Sequence, residues 1–310
     1  MKVLVTGGAG YVGSVLVGKL LEKNIKVCVV DNLMYDNGFT LIPHFNNPKF
    51  QFIKGDVRDK SLMKDLVHNF EFVIHLAAIV GFPACRKNPQ LAREVNVHST
   101  KHISSLLSPE QGVVYASTGS NYGIIENQIC TEETPLNPIS LYGKTKTKAE
   151  EIFLNENGAV AYRFATAFGL SPRMRLDLLI NDFVYQAINN KTLVMFEKSF
   201  KRTFIHVNDM ADSIIYAIDN YDNMKNDTYN IGGDFNNFNK EEIALMIKQK
   251  VDYYLHFAEI GEDEDKRNYE VSYKKINDKG FEIKTSVKDG INELIKAVPA
   301  LDSRSKYKNV

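Results

Sequence analysis

The stretch Thr6-Gly-Gly-Ala-Gly-Tyr-Val-Gly13 decides the fold of this chain. It follows an apolar run, Val3–Thr6, and leads into a segment with helical periodicity, Val12–Lys23. Glycines at positions 7, 10 and 13 permit a tight turn, close approach of a phosphate to the backbone, and close helix–strand packing. The first N–H groups of the helix and the positive end of its dipole then face that phosphate. The stretch therefore predicts a turn that binds the pyrophosphate of a dinucleotide.

Strand and helix patterns alternate beyond this turn. The later apolar runs, rich in β-branched residues, are Val27–Asp31, Phe50–Gly55, Phe72–Ala77, Val113–Ser117 and Val160–Phe164. The helical segments between them are Ser61–His68, Pro89–Leu107 and Leu141–Leu154. Alternation of this kind builds a parallel sheet with helices on both faces, and near-continuous apolar strands fit burial on both sides. We expect an α/β fold of the Rossmann doubly wound type.

The regular alternation of strand and helix patterns ends after residue 165. Helical patterns at Leu178–Asn189, Asp209–Ile218, Lys240–Lys250 and Val287–Ala297 are separated by loops and short extended stretches. At 310 residues the chain exceeds the usual size of one domain. We expect an NAD-binding Rossmann domain over residues 1–165, with some later segments returning to it. Residues 166–310 are expected to form a smaller C-terminal α/β lobe that binds the substrate.

Asp31 indicates which dinucleotide the turn binds. It lies at the end of the second predicted strand, 18 positions after Gly13. A carboxylate there accepts hydrogen bonds from the adenosine ribose, and its charge repels a 2′-phosphate. The sequence therefore favours NAD over NADP. Asp56 closes the third strand and is placed to reach the adenine amino group, although a plain turn aspartate fits the local pattern equally well.

Composition excludes several classes of protein. Lys plus Arg and Asp plus Glu balance at 38 each, whereas nucleic-acid and membrane-surface proteins usually carry a basic excess. Cys28, Cys85 and Cys130 are widely spaced, which predicts buried thiols with no metal site or disulfide framework. The chain opens on a strand, and no run approaches the length of a membrane helix. We expect a cytoplasmic protein.

Tyr142 and Lys146 are the candidate catalytic pair. Positions i and i+4 share one face of a helix, so phenol and ammonium can point into one site. A free tyrosine titrates near ~10, and a neighbouring cation stabilises the phenolate that a base needs near neutrality. Thr118 follows the fifth strand, where open α/β sheets place their ligands, and its hydroxyl can bond the same substrate oxygen. The three residues together predict hydride chemistry.

These segments resemble the extended short-chain dehydrogenase/reductases, in the family of NAD-dependent nucleotide-sugar epimerases and dehydratases. The resemblance spans essentially the whole chain. The strings that carry it are TGGAGYVG (6–13), DN (31–32), GDVRD (55–59), HLAA (75–78), VNVHST (95–100), STGSNYG (117–123), YGKTK (142–146) and RTFIHVNDMA (202–211). It implies Tyr142 as base, Lys146 as its partner and Thr118 as the assisting hydroxyl.

The resemblance also implies a set of residues along NAD and a mode of assembly. The cofactor-binding residues are Gly7, Gly10, Tyr11, Val12, Gly13, Asp31, Asn32, Asp56, Val57, Leu76, Ala77, Ala78, Asn96, Ser117, Tyr142, Lys146 and Phe164. The family usually forms homodimers, which here implies contact through helices at about 90–107 and 141–156. The implied partner is a nucleotide-diphosphate sugar, with no nucleic acid and no membrane.

Candidate substrate residues lie mainly in the second half. Arg202 occupies the position of an arginine that grips the nucleotide diphosphate in the family, and a guanidinium suits phosphate oxygens. Arg173 and Arg175 are placed to cover the same phosphates, and Asn181 lies in a stretch that the family uses near the substrate. A second phosphate arginine is common where this chain has Glu262. Arg267 is a candidate replacement.

Two reactions remain open from sequence. Family members first oxidise C4 of the sugar; dehydratases and decarboxylases then use an acidic residue after the Thr118 position, where this chain has Gly119 and Ser120. A 4-epimerase would return hydride to the other face of the keto sugar, whereas a C4 dehydrogenase would release the keto product.

The strings at 168–183 and 265–276 resemble a branch with GDP-heptose C4 dehydrogenases of surface-polysaccharide pathways. Cys85 and His98 are candidates for proton transfer at C3 or C5, although structural roles are favoured for both. An inactive NAD-binding regulator is the alternative from another class of protein, and the intact Tyr142 argues against it.

Overall fold

A computed structural model describes residues 1–125, 128–199, 201–258, 270–301 and 307–309. Seven strands form one parallel sheet in the order β3-β2-β1-β4-β5-β7-β11. In chain order the strands are β1 Lys2–Thr6, β2 Lys26–Asp31, β3 Phe50–Lys54, β4 Phe72–His75, β5 Gly112–Thr118, β6 Ile129–Cys130, β7 Val160–Phe164, β8 Thr166–Phe168, β9 Thr192–Met195, β10 Lys201–His206, β11 Asp227–Ile231, β12 Asn237–Asn239, β13 Tyr254–Phe257 and β14 Glu270–Val271. The predicted doubly wound α/β fold is confirmed.

Helices cover both faces of this sheet. They are α1 Tyr11–Glu22, α2 Lys60–Val67, α3 Phe82–Lys87, α4 Pro89–Arg93, α5 Ser99–Leu106, α6 Leu141–Asn157, α7 Leu179–Tyr185, α8 Val207–Asp219, α9 Tyr221–Met224, α10 Lys240–Lys248, α11 Lys274–Asp278 and α12 Val287–Ala297. One core layer packs α1 and α8 against one side of the sheet. A second layer packs α2, α5 and α6 against the other side. This double cover explains why the strands are apolar throughout.

The segment predicted as one helix over Pro89–Leu107 is more complex. Helix α4 begins at Pro89 and passes into a π-helical turn, Glu94–His98, before α5 begins at Ser99. Such turns insert an extra residue into a helix and often occur at functional sites. Here the turn carries Asn96, which is 2% exposed and hydrogen-bonded to the loop after β4.

Smaller sheets build the other part of the molecule. Strand β10 pairs in parallel with β8 and antiparallel with β12, while β13 pairs with β9 and β14 with β6. A third core cluster joins α7, α10 and α12 around Phe168 and Phe204. Strand β11 comes late in the chain and still completes the main sheet beside β7. No helix in the described ranges is long and apolar enough to cross a membrane.

Candidate active site

The crevice at the carboxyl ends of the strands opens where the strand order reverses, between β1 and β4. Open α/β sheets bind their ligands at such a switch point. A cavity of about 460 Å³ lies there. A second cavity, of about 770 Å³, adjoins it, and both are lined by Tyr142, Arg175 and Asn309. The site therefore has two compartments that meet at the candidate base.

The glycine turn forms the floor of the first cavity. Gly7 has φ +72°, and a Cβ there would lie 2.7 Å from the backbone nitrogen of Ala77. A Cβ on Gly13 would lie 2.6 Å from Cα of Gly8. Both positions are closed to larger residues, and helix α1 begins directly after Gly10. The turn thus leaves a backbone cradle at a helix N-terminus, which fits a dinucleotide pyrophosphate.

Asp31 and Asp56 are two carboxylates on the wall of this cavity. The carboxylate of Asp31 accepts hydrogen bonds from the N–H groups of Ala9 at 3.0 Å and Leu33 at 2.9 Å. Burial raises the pKa of Asp31, and these N–H groups partly offset that effect. Arg58 donates to both oxygens of Asp56 at 2.9 Å and holds its pKa at about 2. Both carboxylates are therefore anchored before any ligand binds.

The predicted catalytic residues all line the first cavity. Tyr142 lies in the first turn of α6, which begins where Ser140 accepts a hydrogen bond from the N–H of Gly143 at 3.0 Å. Lys146 follows one turn later, and its ammonium lies 4.2 Å from the ring centroid of Tyr115. Thr118 ends β5 on the same wall. The structure thus brings the three side chains to one surface.

Lys146 is buried, and burial lowers the pKa of its ammonium to about 7, while the carboxylate of Glu150 works in the opposite direction. Glu150 lies one turn further along α6 and pairs with Arg163 at 2.6 Å. It also accepts a hydrogen bond from Ser117, the neighbour of Thr118. This carboxylate therefore connects the helix of Tyr142 to the strand of Thr118. Sequence analysis did not identify it.

Most of the predicted cofactor residues lie on the cavity wall. Those that line it are Gly7, Gly10, Tyr11, Val12, Gly13, Asp31, Asn32, Asp56, Val57, Leu76, Ala77, Ala78, Ser117, Tyr142, Lys146 and Phe164. Asn96 does not. It is buried behind the wall, accepts a hydrogen bond from the N–H of Ile79 at 2.8 Å and donates to Thr145 at 3.0 Å. Asn96 holds the loop that follows β4, and its contact with NAD stays a prediction.

The substrate candidates separate into three groups. Arg202 lines the second cavity, and Arg175 lines both cavities while Asp177 accepts from its guanidinium at 3.0 and 2.6 Å. Asn181 is fully buried and does not line either cavity; it accepts from the N–H of Gly169 at 3.0 Å and so supports the loop that carries Arg175. Arg267 and Glu262 lie outside the described residues.

Arg173 does not line the second cavity, where Arg202 lies. The sequence placed it over the substrate phosphates, but it lines the first cavity, and its guanidinium donates to Asn309 at 3.0 Å and to the carbonyl of Lys308 at 3.3 Å. Arg58, Tyr35 and Asn309 line the same cavity and were not among the predicted residues. Asn309 could not be found from local pattern, because only the fold brings it to the loop at 173–176.

Cys85 and His98 do not line either of the two cavities. The thiol of Cys85 is buried and donates to the carbonyl of Ile79 at 3.2 Å, and burial raises its pKa to about 11. His98 ends the π-helical turn on the exposed surface. The buried contact of Cys85 agrees with the structural role favoured for it from sequence, while the role of His98 stays a prediction. All three cysteines are buried, as predicted, and the described residues contain no cluster that could hold a metal ion.

Comparison with known proteins identifies the relatives of this chain. Residues 3–232 match the model of the NAD dependent epimerase/dehydratase family. A Methanocaldococcus jannaschii protein, named "Putative UDP-glucose 4-epimerase", is 30% identical over 94% of this chain and 97% of its own length. A low-salt glycan biosynthesis protein of Haloferax volcanii is 28% identical over 95% of this chain and 97% of its own.

Solved structures share the fold. A UDP-glucuronic acid 4-epimerase from Bacillus cereus, in complex with UDP-glucuronic acid and NAD, superposes with a TM-score of 0.87 and 24% identity. That match covers 97% of this chain and 99% of the other. A dTDP-glucose 4,6-dehydratase from Streptomyces venezuelae gives a TM-score of 0.85, with 24% identity and 96% of each chain covered. Neighbours of both reaction types thus have this architecture.

Proposed function

Because the chain belongs to the NAD-dependent epimerase/dehydratase family, we propose that it is a nucleotide-diphosphate-sugar 4-epimerase that works through a 4-keto sugar. The observation that carries the proposal is the junction of the two cavities. Tyr142 lines both compartments there, with Lys146 and Thr118 on the cofactor side. The dinucleotide and the sugar would meet at this point.

Tyr142 transfers the proton in the proposed reaction, and Lys146 stabilises the charged form of Tyr142. Bound NAD supplies a hydride acceptor and donor for C4 of the sugar. The Tyr142 phenolate takes the proton of the C4 hydroxyl as that carbon is oxidised, and returns it when the carbon is reduced. The buried ammonium of Lys146 stabilises the phenolate, and the hydroxyl of Thr118 holds the same oxygen. Each role uses a side chain that lines the first cavity.

The surroundings of Thr118 do not favour dehydration. A short 3-10 turn, Gly119–Asn121, follows it, so Gly119 and Ser120 stand where a dehydratase needs acidic groups. Asp177 lines the second cavity, but its carboxylate pairs with Arg175. Although burial works in the opposite direction, this pairing holds the pKa of Asp177 below its usual range. A charged, paired carboxylate is a poor proton donor for loss of a hydroxyl group.

The second cavity supports epimerisation over release of the keto sugar. Returning hydride to the opposite face requires the 4-keto sugar to turn over within the site. A volume of about 770 Å³ beside Tyr142 offers room for that movement. Arg202, on the wall of this cavity, is proposed to hold the diphosphate while the sugar turns. The likeness to a glycan biosynthesis protein supports a place in the synthesis of surface-polysaccharide sugars.

The experiment that tests this function is incubation of the purified protein with UDP-, GDP-, dTDP- and CDP-sugars. Product NMR and absorbance of reduced nicotinamide are followed together. A changed configuration at C4 without net NADH is the expected result. Stoichiometric NADH with a 4-keto product would instead establish a C4 dehydrogenase, which is the second of the two activities that the sequence left open. A 4-keto-6-deoxy product would overturn the argument from Gly119 and Ser120.

Cofactor choice gives a further prediction. Replacing Asp31 with asparagine removes the charge that repels a 2′-phosphate but keeps an oxygen that can accept an N–H hydrogen bond. We expect NAD to bind roughly tenfold more weakly and the preference for NAD over NADP to fall by about 10²-fold. Calorimetric titration of both dinucleotides measures the change. Asp65→Asn, on the exposed face of α2, serves as the control. An unchanged preference would show that Asp31 does not contact the ribose.

A further inference from the structure

Residues Tyr307, Lys308 and Asn309 lie against the loop at 173–176. The N–H of Leu176 donates to the carbonyl of Tyr307 at 2.8 Å. The guanidinium of Arg173 donates to the carbonyl of Lys308 and to the side-chain oxygen of Asn309. Tyr307 also packs on the core cluster of the smaller lobe. Three hydrogen bonds and one apolar contact therefore fix a segment that is remote in sequence from the rest of the site.

This segment lies where the two cavities meet. Asn309 lines both, and Arg173 lines the first, so the pair forms part of the wall between cofactor and substrate compartments. The ring of Tyr35, which follows β2, lies 5.2 Å from the guanidinium carbon of Arg173. The N–H of Arg173 also approaches the hydroxyl of Ser14 in the first turns of α1, at 3.4 Å. Arg173 therefore connects the segment to the helix that begins at the glycine turn.

The charge of Arg173 indicates what this wall faces. The Arg173 residue is 2% exposed, and among the described residues the hydrogen-bond acceptors of its guanidinium are neutral. Arg175, two residues on, has the carboxylate of Asp177 as its partner. Burial, and then the neighbouring Arg175, lower the pKa of Arg173, while the attraction of Asp177 works in the opposite direction. A buried cation whose described hydrogen-bond acceptors are neutral is costly, and an anion in the adjoining cavity would relieve that cost.

We propose that Tyr307–Asn309 is a strap, fastened by Arg173, that keeps NAD in its cavity between turnovers. On its cavity side Arg173 would face the diphosphate, and through its other donors it holds the strap at the wall where the two cavities meet. The inference requires NAD binding but not any particular sugar reaction. Retention matters most to an enzyme that must return hydride to its own 4-keto intermediate, because loss of the reduced cofactor before that step would leave the keto sugar unreduced.

The test measures NAD release in the absence of sugar. Three variants weaken the strap in different ways: removal of residues 307–310, Asn309→Ala, and Arg173→Lys. Lys lacks the planar fork that bonds two acceptors at once. We expect NAD to dissociate roughly tenfold faster from the truncated chain, and severalfold faster from Asn309→Ala, in line with the loss of one or two hydrogen bonds to a charged group. Arg93→Lys, an exposed arginine on α4, is the matched control.

Release is followed by rapid mixing with excess competing dinucleotide, and folding of each variant is checked by circular dichroism. An unchanged rate in both the truncated chain and Asn309→Ala would overturn the proposal, whatever Arg173→Lys does. Slower release would overturn it as well, because the segment would then compete with NAD rather than retain it. Failure of the 4-epimerase proposal would leave these rates unaffected, so the two conclusions can fail separately.

Discussion

Replacing Tyr142 with phenylalanine is expected to lower kcat by about 10³-fold, within the range of general acid–base catalysis. The substitution removes one oxygen and keeps the ring that lies between the two cavities. Without the phenol no group in the proposed catalytic set can take the proton of the C4 hydroxyl below about pH 7, since Lys146 keeps its own proton there and the hydroxyl of Thr118 is a far weaker base. The chemical step should therefore fail while ligand binding survives.

Separate measurements of binding and turnover check this expectation. Single-turnover kinetics with a nucleotide sugar give the rate of the chemical step, and equilibrium titration gives the NAD affinity, which we expect to change less than threefold. Tyr254→Phe, on an exposed tyrosine of β13, controls for the substitution itself. A Tyr142→Phe variant that kept a tenth or more of the wild-type rate would show that another group is the base.

The sequence predicted the cofactor side of this site more completely than the substrate side. The glycine turn, Asp31 and the pair Tyr142 and Lys146 are encoded over short distances by a strand, a turn and one helix. Local geometry alone therefore brings them to the carboxyl edge of the sheet. The six strands predicted in the first half all occur in the main sheet, with ends that differ by two residues at most.

Contacts between distant segments could not be predicted in this way. Asn309 and Arg173 are hydrogen-bonded although they lie 136 positions apart, and no sequence pattern near either residue predicts that contact. Asn181 shows a second reason why site residues are hard to predict. A polar residue in a segment near the site can hydrogen-bond the loop behind the cavity wall instead of the ligand inside the cavity. Only the direction of the side chain separates these roles, and no sequence pattern encodes that direction at a loop boundary.

Glu150 could have been found from the sequence. Arg163 stands in the middle of the apolar run Val160–Phe164, and a guanidinium inside a buried strand requires a partner of opposite charge. Glu150 is four residues beyond Lys146 and so shares the helix face of the catalytic pair. A buried arginine in the strand and a carboxylate on the catalytic helix together predict an ion pair beneath the site. The structure contains that pair, with side chains 3% and 7% exposed.

The Glu150→Gln variant is expected to lose about 3–5 kcal/mol of stability, because it leaves the cation of Arg163 buried without its counter-charge. The carboxylate accepts from Arg163, Ser117 and Asn121, and glutamine can accept at only one oxygen. Thermal and denaturant unfolding measure the loss. Glu151→Gln, the next position on the same helix, removes a carboxylate from an exposed pair with Lys148 and should change stability little.

The same substitution should shift the pH dependence of activity. Glu150 raises the pKa of Lys146 against the stronger effect of burial, so removing its charge is expected to lower that pKa from its present value of about 7. Lys146 then loses its proton at lower pH, and the alkaline limb of kcat/KM is expected to move to lower pH. Adding Arg163→Met to Glu150→Gln removes the stranded cation and should restore part of the lost stability. The alkaline limb should stay displaced, since the carboxylate is still absent. If the limb returned with the stability, Glu150 would act on Lys146 only by holding the fold together.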